Sequence, residues 1–173
     1  VTIATFSSHL TQHYLIDKES NAMYNEANLL ASTYSNIYQG KKITLDTANP
    51  QLQAVATYLG ASVWVLDSRG TVVAETAPAS HLDIAVDSFD PTAAGSNYYM
   101  IGDFFGMLDE QSLSVLAPIT GNFNTYGYVT VHLPMSSVQR DQYRILNIVY
   151  LTAVILFLLS LIILLVFARI VYV

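Results

Sequence analysis

The sequence predicts an α+β chain: a long N-terminal helix and a short second helix, a five-stranded antiparallel sheet, and one C-terminal transmembrane helix. Three observations carry this. The first 39 residues contain neither Pro nor Gly. The strand-like segments fall in one run between helical ends, the order of a single antiparallel sheet rather than of βαβ units. The 24 residues from Ile145 to Ala168 contain no charge.

Taken in order, the first helix shows apolar positions stepping by four and three from Met23 through Ala27, Leu30, Tyr34 and Ile37, a heptad seam. Two repeats of that seam serve either a coiled-coil partner or packing against the helix's own domain. Residues 1–16, "VTIATFSSHLTQHYLI", mix apolar and polar positions and are read as the end of a first transmembrane helix or as an ordinary helix start. After the turn signal "QGKK", Asn49 as N-cap, Pro50 at the first helical position and Gly60 just past the end predict a short helix. Its apolar face is Leu52, Val55, Ala56 and Leu59.

"ASVWVL" reads as a strand covered on both faces, with "TVVAET" as its returning partner. Asp67 and Gly70 take the favoured ends of a type I turn between them, and Trp64 points into the packing. Two strands follow later, Ser112–Ile119 and Tyr126–Leu133, joined by "TGNFNT". In the second, Tyr126, Tyr128, Thr130 and His132 alternate with Gly127, Val129, Val131 and Leu133, which predicts one buried and one wetter face. Between the two pairs lies an irregular crossing in which Asp90 and Pro91 open a turn and Tyr98–Asp103 supplies a fifth strand.

The 24 uncharged residues span roughly 36 Å as a helix at about 1.5 Å per residue, enough to cross a bilayer with some tilt. The segment is too long and too C-terminal for a signal peptide. Arg140 and Arg144 precede it and Arg169 follows, so charge leaves the orientation undecided. The absence of an initiator Met at Val1 and the end at Val173 lead us to expect a piece of a longer protein.

Before Arg140 there are four Lys and Arg against twelve Asp and Glu, a formal net of −8. Such a surface repels nucleic acid and anionic headgroups. Cysteine is absent, so no disulfide or thiolate metal site exists. His9 and His13 stand four apart without an acidic third ligand, and His132, among valines, reads as a cross-strand partner rather than a metal ligand. Asp83, Asp87 and the pair Asp109–Glu110 show no convergence on a cleft. Phosphate-cradling, nucleophile-elbow and zinc-hydrolase motifs are missing. No catalytic residue, cofactor or metal is therefore expected within these residues. The aromatics Tyr98, Tyr99, Phe104 and Phe105, set around Gly102 and Gly106, are the candidates for a pocket wall that takes a small molecule or peptide. Divalent cations on the acidic surface are the second choice for a signal, and a partner protein the third.

"VWVLDSRGTVVAET", "LSVLAPI" and "GYVTVHLPMSSV" followed at once by a membrane span resemble the extracytoplasmic sensing domain of membrane-bound bacterial sensor histidine kinases, with a PAS-like or single Cache fold. The resemblance covers about Met23 to Ala168. It implies that residues 17–143 lie outside the cytoplasm, that 145–168 is the second membrane span, and that residues 1–16 continue from a first. It implies a homodimer in the cell membrane with "VWVLDSRGTVVAET" as the central hairpin of its sheet. Tyr126, Gly127, Tyr128 and Pro134 would pass the signal to the membrane helix. The kinase and its response regulator would be reached only through cytoplasmic domains outside these residues. No phosphoacceptor motif or ATP-binding glycine box is present here, and the same fold also serves chemoreceptors and cyclic-dinucleotide enzymes. A membrane-anchored binding module is the remaining alternative.

Overall fold

A computed structural model describes residues 2–38, 45–76, 80–95 and 98–172. The expected turn at "QGKK" and the side chain of Ile37 lie outside the described residues. Helix α1 runs Thr2–Tyr38, α2 Leu45–Leu59 and α3 Met135–Tyr172, and the strands are β1 Ser62–Asp67, β2 Val72–Glu75, β3 Tyr99–Gly102, β4 Ser112–Gly121 and β5 Asn124–Pro134. All neighbouring strands pair antiparallel in the order β2-β1-β5-β4-β3. The centre is thus β5. The β1–β2 hairpin, expected to be central, sits at one side with β2 on the edge, because the late strand β5 inserts between β1 and β4.

The seam of α1 packs inside its own domain. Met23, Ala27, Leu30 and Tyr34 are buried in one core with Val63 and Val65 of β1, Leu113, Val115, Ala117 and Ile119 of β4, and Val129, Val131 and Leu133 of β5. Those strand residues alternate, so the period of two places them all on one face. Leu52 and Ala56 of α2 join the same core.

Helix α2 starts earlier than its punctuation suggests, at Leu45, with Pro50 inside it. A proline this near the N-terminus forfeits only the bond from its missing N–H to the carbonyl of residue 46, so the helix runs through it. Its end is as expected: Gly60 is left-handed at φ +62° and Ala61 N–H donates to the Ala56 carbonyl at 3.0 Å, a Schellman cap. The β1–β2 turn also follows its sequence. Gly70 N–H donates to the Asp67 carbonyl at 3.1 Å, and Asp67 Oδ1 accepts from Arg69 N and Thr71 N, each at 2.8 Å. Strands β4 and β5 are longer than predicted and meet at Asn122–Phe123, both with positive φ, as a two-residue type I′ hairpin needs.

Strand β5 passes directly into α3 at Pro134–Met135. Met135 N–H donates to the Gln111 carbonyl at 2.9 Å, which holds the joint against the start of β4. Helix α3 then runs beside the first part of α1: Gln142 Nε2 donates to the Ser8 carbonyl at 2.9 Å and lies 3.0 Å from Ser8 Oγ, and Leu15, Val138 and Leu146 are buried there. Among the described residues, Met135–Val171 is the one helix long and apolar enough to cross a membrane, with a mean hydropathy of 3.1 in its most apolar window.

Candidate ligand cleft

The sheet's second face is where the sequence reading needs correction. Alternation in β5 predicts that Tyr128, Thr130 and His132 face a wetter side, yet Thr130 and His132 are as buried as the valines between them. The described residues between β2 and β4 cover them, with Val86 and Phe104 packed on Trp64 and Leu66 and the Phe104 ring 4.4 Å from His132. This crossing is fastened to the β2 edge, where Val72 N–H donates to the Ile84 carbonyl at 3.0 Å and Val86 N–H to the Gly70 carbonyl at 3.0 Å. Asp90 closes a turn within it by accepting from Thr92 N and Oγ1, as Asp90–Pro91 suggests.

Register brings the polar residues of this face together. Trp64 stands opposite Glu75 on β2 and Thr130 on β5, while His132 stands opposite Ser62 on β1 and Ser114 on β4. His132 is held at both ring nitrogens, Nδ1 at 2.8 Å from Ser114 Oγ and Nε2 at 2.9 Å from Thr130 Oγ1. A neutral imidazole has one donor and one acceptor, so one hydroxyl accepts from it and the other donates to it. Burial first, and the nearby His81 second, push the His132 pKa down to about 3. It is a neutral scaffold residue.

The ring of Trp64 packs between these groups, 4.4 Å from His132 and 4.6 Å from His81, with Phe104 edge-on at 5.9 Å. Glu75, its side chain 3% exposed, binds His81 twice: Oε1 lies 2.8 Å from Nδ1 and Oε2 accepts from the His81 backbone N–H at 2.8 Å. Above this floor lies a cleft of about 310 Å³, rimmed by Met107, Asp109 and Glu110 and reaching Ser112 and Pro134 at the start of α3. Trp64, 1% exposed, lines it, and its indole Nε1–H has no acceptor. A buried donor left unpaired costs on the order of 1–3 kcal/mol.

The four aromatic candidates separate. Phe104 and Phe105 stay together, ring centroids 5.2 Å apart, in the cluster with Trp64, Leu66 and Val72. Tyr99, on β3, joins the core under α1, and Tyr98 is exposed at the outer edge, 5.1 Å from Tyr24 of α1. Tyr98, Phe104 and Phe105 all have positive φ, which bulky residues adopt only where the surroundings impose it. Of the four candidates for signal passage, Pro134 lies at the strand–helix joint and lines the cleft. Tyr126, Gly127 and Tyr128 lie towards the other end of β5, where Gly127 lets the β1 backbone approach so closely that a Cβ would overlap the Leu66 carbonyl oxygen. Sequence reasoning missed Glu75, His81 and the pairing of Trp64 with His132. Trp64, Glu75 and His132 carry only their spacing within strands whose partners were unknown, and His81, in the crossing, carries no local signal. Among the described residues no group of three metal-ligating side chains occurs.

No protein-family model matches the chain, and no curated protein matches it. Solved structures do. The Escherichia coli DcuS sensor domain is 22% identical over 76% of this chain and 98% of that one, with a TM-score of 0.57. An extracellular ligand-binding receptor from Desulfohalobium retbaense is 16% identical over 76% of this chain and 26% of that one, at 0.54. The ligand-binding domain of the Campylobacter jejuni chemoreceptor Tlp3, in complex with 4-methylisoleucine, is 15% identical over 81% of this chain, which spans 63% of that one, at 0.50. The chain has the α+β, PAS-like fold of these sensor domains.

Proposed function

We propose that this chain is the extracytoplasmic sensor and second membrane span of a two-component sensor histidine kinase. On this reading residues 17–143 lie outside the cytoplasm, α3 crosses the cell membrane over 145–168, and α1 continues from a first span ending near residue 16. The protein works as a homodimer whose signal is a small molecule seated in the cleft over Trp64. The kinase and the response regulator it phosphorylates belong to domains outside these residues.

The observation that carries this is the joint at Pro134–Met135. The cleft reaches Ser112 and Pro134, and Glu110 on its rim accepts a hydrogen bond from Ser136 Oγ, in the first turn of α3, at 3.3 Å. A ligand that moves this rim therefore moves the membrane helix. Coupling of about 1–3 kcal/mol, with a helix displacement of an ångström or two, is enough to switch an output. Tyr126, Gly127 and Tyr128 would anchor the far end of the strand that transmits it.

Ser137 lies inside α3, so each residue inserted after it rotates the downstream helix by about 100° and advances it by about 1.5 Å. Insertions of one, two and three residues should change autophosphorylation of the whole receptor while the sensor stays folded. Unchanged autophosphorylation in all three refutes the transmission role. The likeness to the Tlp3 ligand-binding domain favours a second reading, the ligand-binding part of a chemoreceptor. A whole receptor that alters swimming behaviour without any phosphorylated histidine of its own would establish that reading instead.

A further inference from the structure

We propose that the cleft over Trp64 takes a small primary amine that also carries a hydrogen-bond acceptor, and that it rejects simple carboxylates; this rests on the cleft being the sensor's ligand site. The lining has three carboxylates, Glu75 within and Asp109 and Glu110 on the rim, and no Lys or Arg. His81 supplies at most one positive charge, and its Nδ1 is already committed to Glu75. His132 is neutral and held at both nitrogens. From Gly60 to Met135 the only basic residue is Arg69, in the β1–β2 turn, and Arg140 lines a separate cleft on the α1 side of the sheet.

An anionic ligand would therefore enter a site of its own sign with no guanidinium or ammonium to receive it. An ammonium group meets the opposite situation, since it is a donor only and the rim offers acceptors only. The second half of the ligand follows from Trp64 Nε1–H, buried, unpaired and donor-only. Its natural complement is a carbonyl or hydroxyl oxygen. A cleft of about 310 Å³ is at the small end of ligand sites, which suits an amino alcohol or an amino amide.

Trp64 is the chain's one tryptophan, so its emission reports on the cleft directly. The full chain in phosphatidylcholine nanodiscs should be titrated with ethanolamine, glycinamide and valinamide, and in parallel with acetate, 3-methylbutyrate and succinate. We expect saturable emission changes with at least one amine below about 10 mM and none with the acids, and a loss of affinity of about tenfold or more in Glu110→Gln and in Glu75→Gln. Emission of the unliganded variants matching the parent shows that each has folded. Saturation by an acid and not by an amine overturns the amine assignment while leaving the cleft as the site. Amine saturation that neither variant weakens moves the site elsewhere and overturns both. Silence from all six probes overturns the amine assignment, and the sensor role is then judged by the insertions after Ser137.

Discussion

Acidification should destabilise this domain through a buried residue, His132. It is buried and neutral, with its pKa pushed down to about 3 from an ordinary 6.5. In the unfolded chain it titrates normally, so between these two values the unfolded state binds the extra proton. Stability from this group is complete above about pH 6.5 and is lost progressively as the pH falls towards 3. At pH 5 the unfolded residue is about 1.5 units below its pKa, and at 1.36 kcal/mol per unit the loss relative to pH 7 is about 2 kcal/mol. Guanidinium unfolding of the chain in nanodiscs, followed by Trp64 emission at both pH values, measures it. His132→Gln removes the titrating group but keeps a side chain able to bond Ser114 and Thr130. It should cost about 1–3 kcal/mol at pH 7 through imperfect bonding, and its stability should depend on pH about 2 kcal/mol less than that of the parent over the same interval. Equal pH dependence in the two proteins, within about 0.5 kcal/mol, would refute the assignment of His132 as a buried neutral scaffold.

Three further outcomes follow from the geometry. Gly127→Ala puts a Cβ against the Leu66 carbonyl, and since β5 is central the strands cannot simply part; a loss of about 2–4 kcal/mol in the same unfolding assay is expected. Phe123→Gly relieves a fully exposed aromatic of its left-handed backbone in the β4–β5 turn and should raise stability by about 0.5–1 kcal/mol, read as a shifted denaturation midpoint. Ser136→Ala removes a donor from an exposed contact with Glu110 and should change stability by less than about 0.5 kcal/mol. In the same variant, ligand-dependent movement of α3 against α1 should diminish, measured between nitroxides on Leu10→Cys and Asp141→Cys. The absence of native cysteine makes that labelling specific.

Local signals were legible wherever neighbours in sequence supply the physics. The uncharged run at 145–168 is long and apolar enough to cross a membrane, and length and hydropathy are local properties. The Asp67–Gly70 turn and the Gly60 cap are closed by hydrogen bonds within a few residues. The same reasoning misplaced the start of α2, since Pro50 reads as a first helical residue although a helix tolerates it one turn later. It also missed the Asn122–Phe123 turn, where Phe stands in a position that Gly favours.

Partnership across the chain was decided only by tertiary structure. The seam Met23–Tyr34 fits a second helix or a sheet equally well from its spacing, and burial against β1, β4 and β5 resolved it. Alternation in Tyr126–Leu133 distinguishes two faces but not what covers either; the described residues between β2 and β4 buried the second one and made His132 a neutral core residue. The cleft itself assembles Glu75, Trp64, His81, Glu110 and His132 from five separate places in the sequence. By itself the sequence determined the α+β order, the Asp67–Gly70 turn, the Gly60 cap and the long apolar C-terminal helix, because these rest on periodicity, hydropathy and short-range bonds. The strand order that sets Trp64 between Glu75 and Thr130 rests on long-range pairing, and no local pattern encodes it.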